Sequence, residues 1–103
     1  MNYPKLKDRK KTEKEITAEI RAYLRFKSIF HWKVWQGLGS KPGVSDILGI
    51  LQGGRLLAIE VKTEKGQLTD TQAAFLDAIK YYGGVGILAK SVGDVRFVLE
   101  GVK

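Results

Sequence analysis

Between Asp46 and Lys62 the chain reads DILGILQGGRLLAIEVK, two apolar runs separated by Gln52-Gly53-Gly54. A Gly-Gly pair supplies the positive backbone angles of a tight reversal at no steric cost, and short apolar runs bounded by turn signals read as strands. The stretch therefore predicts an antiparallel hairpin, DILGIL against RLLAIEVK. Side chains alternate across a strand, so Leu57, Ile59 and Val61 share one face while Leu56, Ala58, Glu60 and Lys62 share the other. With the turn at 52–54, residues near 46 lie opposite residues near 60 to 62. Asp46, Glu60 and Lys62 thus converge at one end of a sheet among apolar neighbours, where charge is costly unless it is paired or bound to metal.

The flanking sequence predicts what surrounds the hairpin. Thr12 and Glu15 form a capping-box pattern, and Ile16, Ile20, Tyr23 and Leu24 recur at helical spacing, giving a first helix over Glu13 to Phe26. IFHWKVWQ, Ile29 to Gln36, is aromatic and β-branched and predicts a strand, broken by the loop GLGSKPGVS. After the polar loop TEKGQLTD, Thr69 or Asp70 caps a second helix, TQAAFLDAIKYY, with an apolar stripe of Ala73, Phe75, Leu76 and Ile79 and a stop at Gly83-Gly84. VGILA predicts a short buried strand, and Ser91 caps a final short helix through VGDVRFVLEG, against the tendency of Gly93 and three valines. The order α-β-β-β-α-β(-α) describes an α+β or α/β sandwich around a small mixed sheet, with the second helix as a right-handed crossover between the last two strands.

Composition narrows the function. The 103 residues, 44% hydrophobic, suffice for one modest core and one domain. We divide the chain into a basic arm, residues 1–11, and a single domain, residues 12–103. No apolar run approaches the ~20 residues that span a bilayer, and the basic N-terminus lacks an apolar signal region, so a soluble cytoplasmic protein is expected. The absence of Cys excludes disulfides and thiol catalysis, and one His, His31, cannot build a zinc cluster. Any metal would be held by carboxylates. A net charge of +7 favours polyanionic partners, nucleic acid above all. Much of that excess lies in the first fourteen residues, where Lys5, Lys7, Arg9, Lys10, Lys11 and Lys14 face only Asp8 and Glu13. Such a segment is either a solvated arm or one that contacts phosphates.

Paired carboxylates with open positions suit Mg²⁺, a hard ion that takes oxygen ligands and keeps several waters, one of which can become a nucleophile. The alternative is structural: Glu-x-Lys on a strand is a common salt bridge, and Asp at a strand start a common loop terminator. His31 more plausibly packs or faces solvent than acts as a base, and Trp32 and Trp35 are core or strand-surface aromatics. GLGSKPG lacks the ending of a P-loop and reads as a mobile loop from which Lys41 reaches a phosphate.

Through VSD (Val44 to Asp46) and EVK (Glu60 to Lys62) the chain resembles the PD-(D/E)xK nuclease superfamily. TEKEI, KPGVSDILGIL, GGRLLAIEVK, GQLTDTQAAFLDAI and GGVGILAKSVGDV, in this order, resemble its virus-type replication-repair nuclease branch, the VRR-NUC domain, over about residues 12 to 95. The Pro of the superfamily's name is absent, Ser45 standing before Asp46. The resemblance implies a restriction-endonuclease-like αβββαβ core and a Mg²⁺- or Mn²⁺-dependent DNA endonuclease. In it Asp46, Glu60 and the Val61 carbonyl bind the metal and Lys62 lies near the attacking water. A further metal ligand is expected on the first helix. Glu13 falls on the core-facing stripe and is preferred over Glu15, which has a capping role, and Glu19. Gln72 either orients Lys62 or the phosphate, or is a solvent-facing helix polar. Lys10, Lys11, Lys41 and Lys65 are the expected DNA contacts. The resemblance also implies a homodimer acting on branched DNA such as Holliday junctions, with an origin in phage or DNA repair. The competing reading is a catalytically inactive nucleic-acid-binding module on the same fold.

Overall fold

The computed structural model describes residues 10–35, 37 and 41–101. Residues 1–9 of the basic arm lie outside this set. Helix α1 runs Glu13–Phe26 and starts at a capping box: Thr12 Oγ1 accepts from the Glu15 amide at 3.1 Å, and Glu15 Oε1 accepts from the Thr12 amide at 3.0 Å. Its buried row is Ile16, Thr17, Ile20 and Leu24. It ends where Ser28 adopts φ +57 and the Ile29 amide bonds back to the Leu24 carbonyl at 2.9 Å.

Four strands follow in sheet order β1-β2-β3-β4: β1 Phe30–Lys33, β2 Ile47–Ile50, β3 Leu56–Val61 and β4 Val85–Ala89. The predicted hairpin is present, with Ile47 opposite Ile59 and Ile50 opposite Leu56. Gly53 and Gly54, both at positive φ, close it, a conformation that costs side-chain-bearing residues free energy. β1 is shorter than the predicted Ile29 to Gln36. The Ile29 amide is taken by the end of α1. At the other end the Val34 amide bonds the Asp46 carbonyl at 2.8 Å, and the facing chain turns at Pro42–Gly43. Gln36 lies outside the described residues.

Helix α2, Asp70–Tyr81, connects β3 to β4, which are parallel. Thr69 and Gln72 close a second capping box, and the helix stops ahead of Gly83 at φ +89. The last helix, α3, spans Val92–Gly101 despite Gly93 and its valines. Val95 is wholly buried, and the Asp94 amide bonds Ser91 Oγ at 3.2 Å while Asp94 Oδ2 accepts from the Lys90 amide at 2.8 Å. Tertiary burial and a capped start override weak propensity here.

The architecture is a sheet with helices on both faces. Ile47, Leu57, Ile59, Val61, Val85, Ile87 and Ala89 pack with Ile16, Ile20 and Leu24 of α1 and Val95 of α3. Each such aliphatic side chain contributes about 1.5–3 kcal/mol of burial free energy. Helix α2 covers the opposite face over β3 and β4 only. The β1–β2 half of that face carries exposed Phe30, Trp32 and Ile50, so Trp32 belongs to the strand surface. No described helix is long and apolar enough to cross a membrane.

Candidate active site

The end of the sheet opposite the Gly53–Gly54 turn gathers the charged residues. Asp46 immediately precedes β2, and the strand register carries it opposite Glu60. Its Oδ2 accepts from the Val61 amide at 2.8 Å, so the carboxylate closes the β2–β3 ladder where backbone pairing stops. Glu60 is 3% exposed, buried because α2 lies over its face of β3. Gln72 Nε2 donates to Glu60 Oε2 at 3.3 Å, and Lys62 Nζ lies 4.0 Å from the same oxygen. Glu60 Oε1 is buried and accepts from no donor among the described residues, so that only a proton shared with the Asp46 carboxyl could bond it.

An ionised carboxylate so placed is costly, and the Glu60 pKa is pushed up to about 8. Burial is the main cause, followed by hydrogen bonding to Asp46 and the repulsion of its charge. Lys62 acts in the opposite sense, too weakly to win, and Glu13 adds to the rise. The pair lacks positive charge, and a proton or a cation supplies it.

The VRR-NUC domain model matches residues 4–92 of this sequence. The chain belongs to the VRR-NUC family. This is a nuclease domain family, whose substrate is DNA and whose members generally use divalent metal ions. Two solved structures share the fold. One, described as a VRR_NUC domain, has a TM-score of 0.72 at 20% identity, covering 88% of this chain and 97% of its own. The other, a VRR_NUC domain protein, has a TM-score of 0.72 at 19% identity, covering 89% and 88%. No curated protein matches the sequence significantly.

The donor set fits the divalent ions that a VRR-NUC domain implies. Two facing carboxylates would offer oxygen donors suited to Mg²⁺ or Mn²⁺, and the unpartnered, buried Glu60 Oε1 is free to take a cation. Among the described residues no three His, Asp or Glu side chains gather closely enough to hold a metal by themselves.

Glu13 lines a cleft of about 490 Å³ together with Asp46, Lys14, Thr17, Ala18, Arg21 and Lys33. Glu15 is held in the α1 capping box, and Glu19 pairs with Lys11 at 2.7 Å. Glu13→Gln is therefore expected to slow DNA cleavage about 10-fold, the usual scale for an outer ligand, while Glu15→Gln preserves a capping box and leaves the rate nearly unaltered. Initial rates on plasmid DNA check this, and equal or reversed effects would remove Glu13 from the site.

Gln72 does two jobs that the sequence did not offer. Its Oε1 accepts from the Thr69 amide at 3.0 Å to cap α2, while its Nε2 reaches Glu60 rather than Lys62. Lys10, Lys11 and Lys65 line one cleft of about 350 Å³, joined by Lys90, which the sequence reading passed over. Lys41 is exposed in the loop before Asp46, where Gly43 packs closely on the Thr71 backbone at the start of α2. His31 is half-buried, with Nδ1 against the Ile29 carbonyl at 2.8 Å. Lys14, Arg21 and Lys33 at the Asp46 cleft were also missed. The spacing Glu13-Thr17-Arg21, one row on a helix, was the available signal.

Proposed function

We propose that this VRR-NUC protein is a Mg²⁺- or Mn²⁺-dependent, structure-selective DNA endonuclease that hydrolyses phosphodiester bonds by attack of water. The observation that carries this reading is the opposition of Asp46 and buried Glu60 across the hairpin with the Lys62 ammonium 4.0 Å from Glu60, in a chain of net charge +7. A structural salt bridge accounts for Glu60 and Lys62, and the Val61 amide engages one Asp46 oxygen, but neither contact calls for a second carboxylate charge beside the buried one.

Asp46, Glu60 and the Val61 carbonyl would hold the metal, with Glu13 nearby. The bound ion supplies a lowered pKa for coordinated water and positive charge opposite the developing phosphorane. Lys62 orients the attacking water and stabilises the negative charge that builds on the phosphate oxygens. Gln72 fixes the rotamer of Glu60 by holding Oε2. The amino-terminal ends of α1 and α2 also lie at this end of the sheet, since Glu13 and Gln72 reach the site from their first turns. Their partial positive charges favour an incoming phosphate. Lys10, Lys11, Lys41 and Lys65 extend the positive surface along the DNA.

One such site cuts one strand, so paired cuts across a four-way junction require two copies. We therefore assign a homodimer that prefers branched DNA. Sedimentation together with cleavage mapping on junction, flap and plain duplex substrates tests this. Symmetric paired nicks in the junction and a dimer are expected, with no cutting in excess EDTA. A monomer that cuts plain duplex as fast as a junction would sink the dimer and the preference, and cutting that persists in EDTA would sink the metal mechanism.

A further inference from the structure

The cleft that begins at Asp46 continues along α1 beyond any residue needed for hydrolysis. Glu13, Thr17 and Arg21 stand one turn apart on one row of α1, with Lys14 and Ala18 beside them and Lys33 of β1 on the facing wall. Thr17 and Ala18 are small, which leaves the groove open between its acidic and basic ends. Arg21 Nε is buried and has no hydrogen-bond partner, and no carboxylate pairs with the guanidinium among the described residues. A buried donor left without an acceptor is destabilising, and a guanidinium matches the oxygens of a phosphate better than it matches most protein groups.

We propose that Arg21 forms a subsite for a backbone phosphate of the cleaved strand, displaced from the scissile phosphate, with Lys33 nearer the Asp46 end of the same groove. The distance follows from the helix. Eight residues from Glu13 to Arg21 advance ~12 Å at ~1.5 Å each, and successive phosphates of a B-form strand lie ~3.4 Å apart along the duplex axis and farther apart along the winding backbone, so the contact falls about two to four nucleotides from the cut. The subsite fixes the strand in register with Asp46 and Glu60. It rests on the nuclease reading above for its meaning, though not for its measurement.

Binding of the full chain to a duplex oligonucleotide in EDTA, titrated with salt, gives the first readout. Arg21→Gln is expected to bind about tenfold more weakly and to lose about one unit from the slope of log affinity against log salt, whereas Arg21→Lys keeps the slope. If Arg21→Gln does not fold, Arg21→Met, which keeps the apolar stem and removes the charge, carries the same expected loss of slope. The second readout is cleavage of strands bearing single uncharged methylphosphonate linkages. One linkage about two to four nucleotides from the cut should slow the wild type and have no additional effect on Arg21→Gln. Wild-type slope and affinity in Arg21→Gln, or fully additive effects of the variant and the uncharged linkage, would overturn the subsite. A wild type whose binding loses slope as expected in Arg21→Gln, yet which cuts none of these DNAs with Mg²⁺ or Mn²⁺ present, would instead overturn the nuclease reading and leave the phosphate subsite standing.

Discussion

Asp46→Asn, Glu60→Gln and Lys62→Ala are each expected to lower the rate of DNA cleavage by about 10²–10³-fold while the folded proteins still bind DNA. The amide replacements are chosen on structural grounds. Asp46 accepts the Val61 amide proton at 2.8 Å, and Asn retains an acceptor there, whereas Ala would free the end of the β2–β3 ladder and mix a folding defect with a catalytic one. Glu60→Gln removes charge from a position where charge is costly. Removing either carboxylate also lessens repulsion of phosphate, so affinity measured in EDTA should hold or rise. Rates with saturating Mg²⁺ or Mn²⁺ read against that affinity separate chemistry from binding. A carboxylate variant that cuts at the wild-type rate would remove its residue from the mechanism.

The second large effect is on stability. In the metal-free protein the Glu60 pKa lies near 8 against an ordinary value of 4.5. Below the lower value both the folded and the unfolded chain carry the proton. Between the two only the folded chain does, so stability declines as pH rises through this window and levels off above the folded pKa. From this group alone the decline between pH 5 and pH 8 is on the order of 3 kcal/mol. Urea unfolding in EDTA at both pH values should show it in the wild type and not in Glu60→Gln, which becomes the more stable protein at pH 8. Divalent ions, which compete with the proton for the same oxygens, should stabilise the wild type more at pH 8 than at pH 5. Identical pH dependence in the two proteins would mean that Glu60 titrates near its ordinary value.

The parts of the molecule legible in the sequence were those decided locally. A capping box at Thr12 fixed the start of α1, and the glycine turn at 53–54 set the register that puts Asp46 opposite Glu60. β4 and α3 have the predicted limits because turn glycines and a Ser91 cap bound them. Other features depend on what approaches from elsewhere. β1 starts only at Phe30 because the end of α1 takes the Ile29 amide, a fact about the helix rather than about the aromatic run itself. The degree of burial of Glu60 depends on α2 lying over β3, and periodicity cannot say which half of a sheet a crossover helix will cover. The basic end of the Asp46 cleft required α1 to sit beside β1. Arg21 and Lys33 are ordinary surface-type residues until that contact brings them to one groove.

Asp46 and Val61 stand fifteen positions apart in the chain, joined by a single reversal. The acidic half of the site is therefore a contiguous piece of sequence at the centre of the sheet, flanked by β1 and β4 and approached by the first turns of α1 and α2. Such a division lets ancestry and chemistry part company. Apart from site residues such as Glu13, Arg21 and Gln72, the helices and the outer strands need keep only their apolar pattern, and the fold is shared at 20% identity. A lineage can likewise change which DNA it engages by altering α1 and β1 while the reacting groups stay fixed. What such a lineage cannot tolerate is an insertion or deletion between Asp46 and Lys62, since a shift of one residue would turn every side chain of one strand to the opposite face.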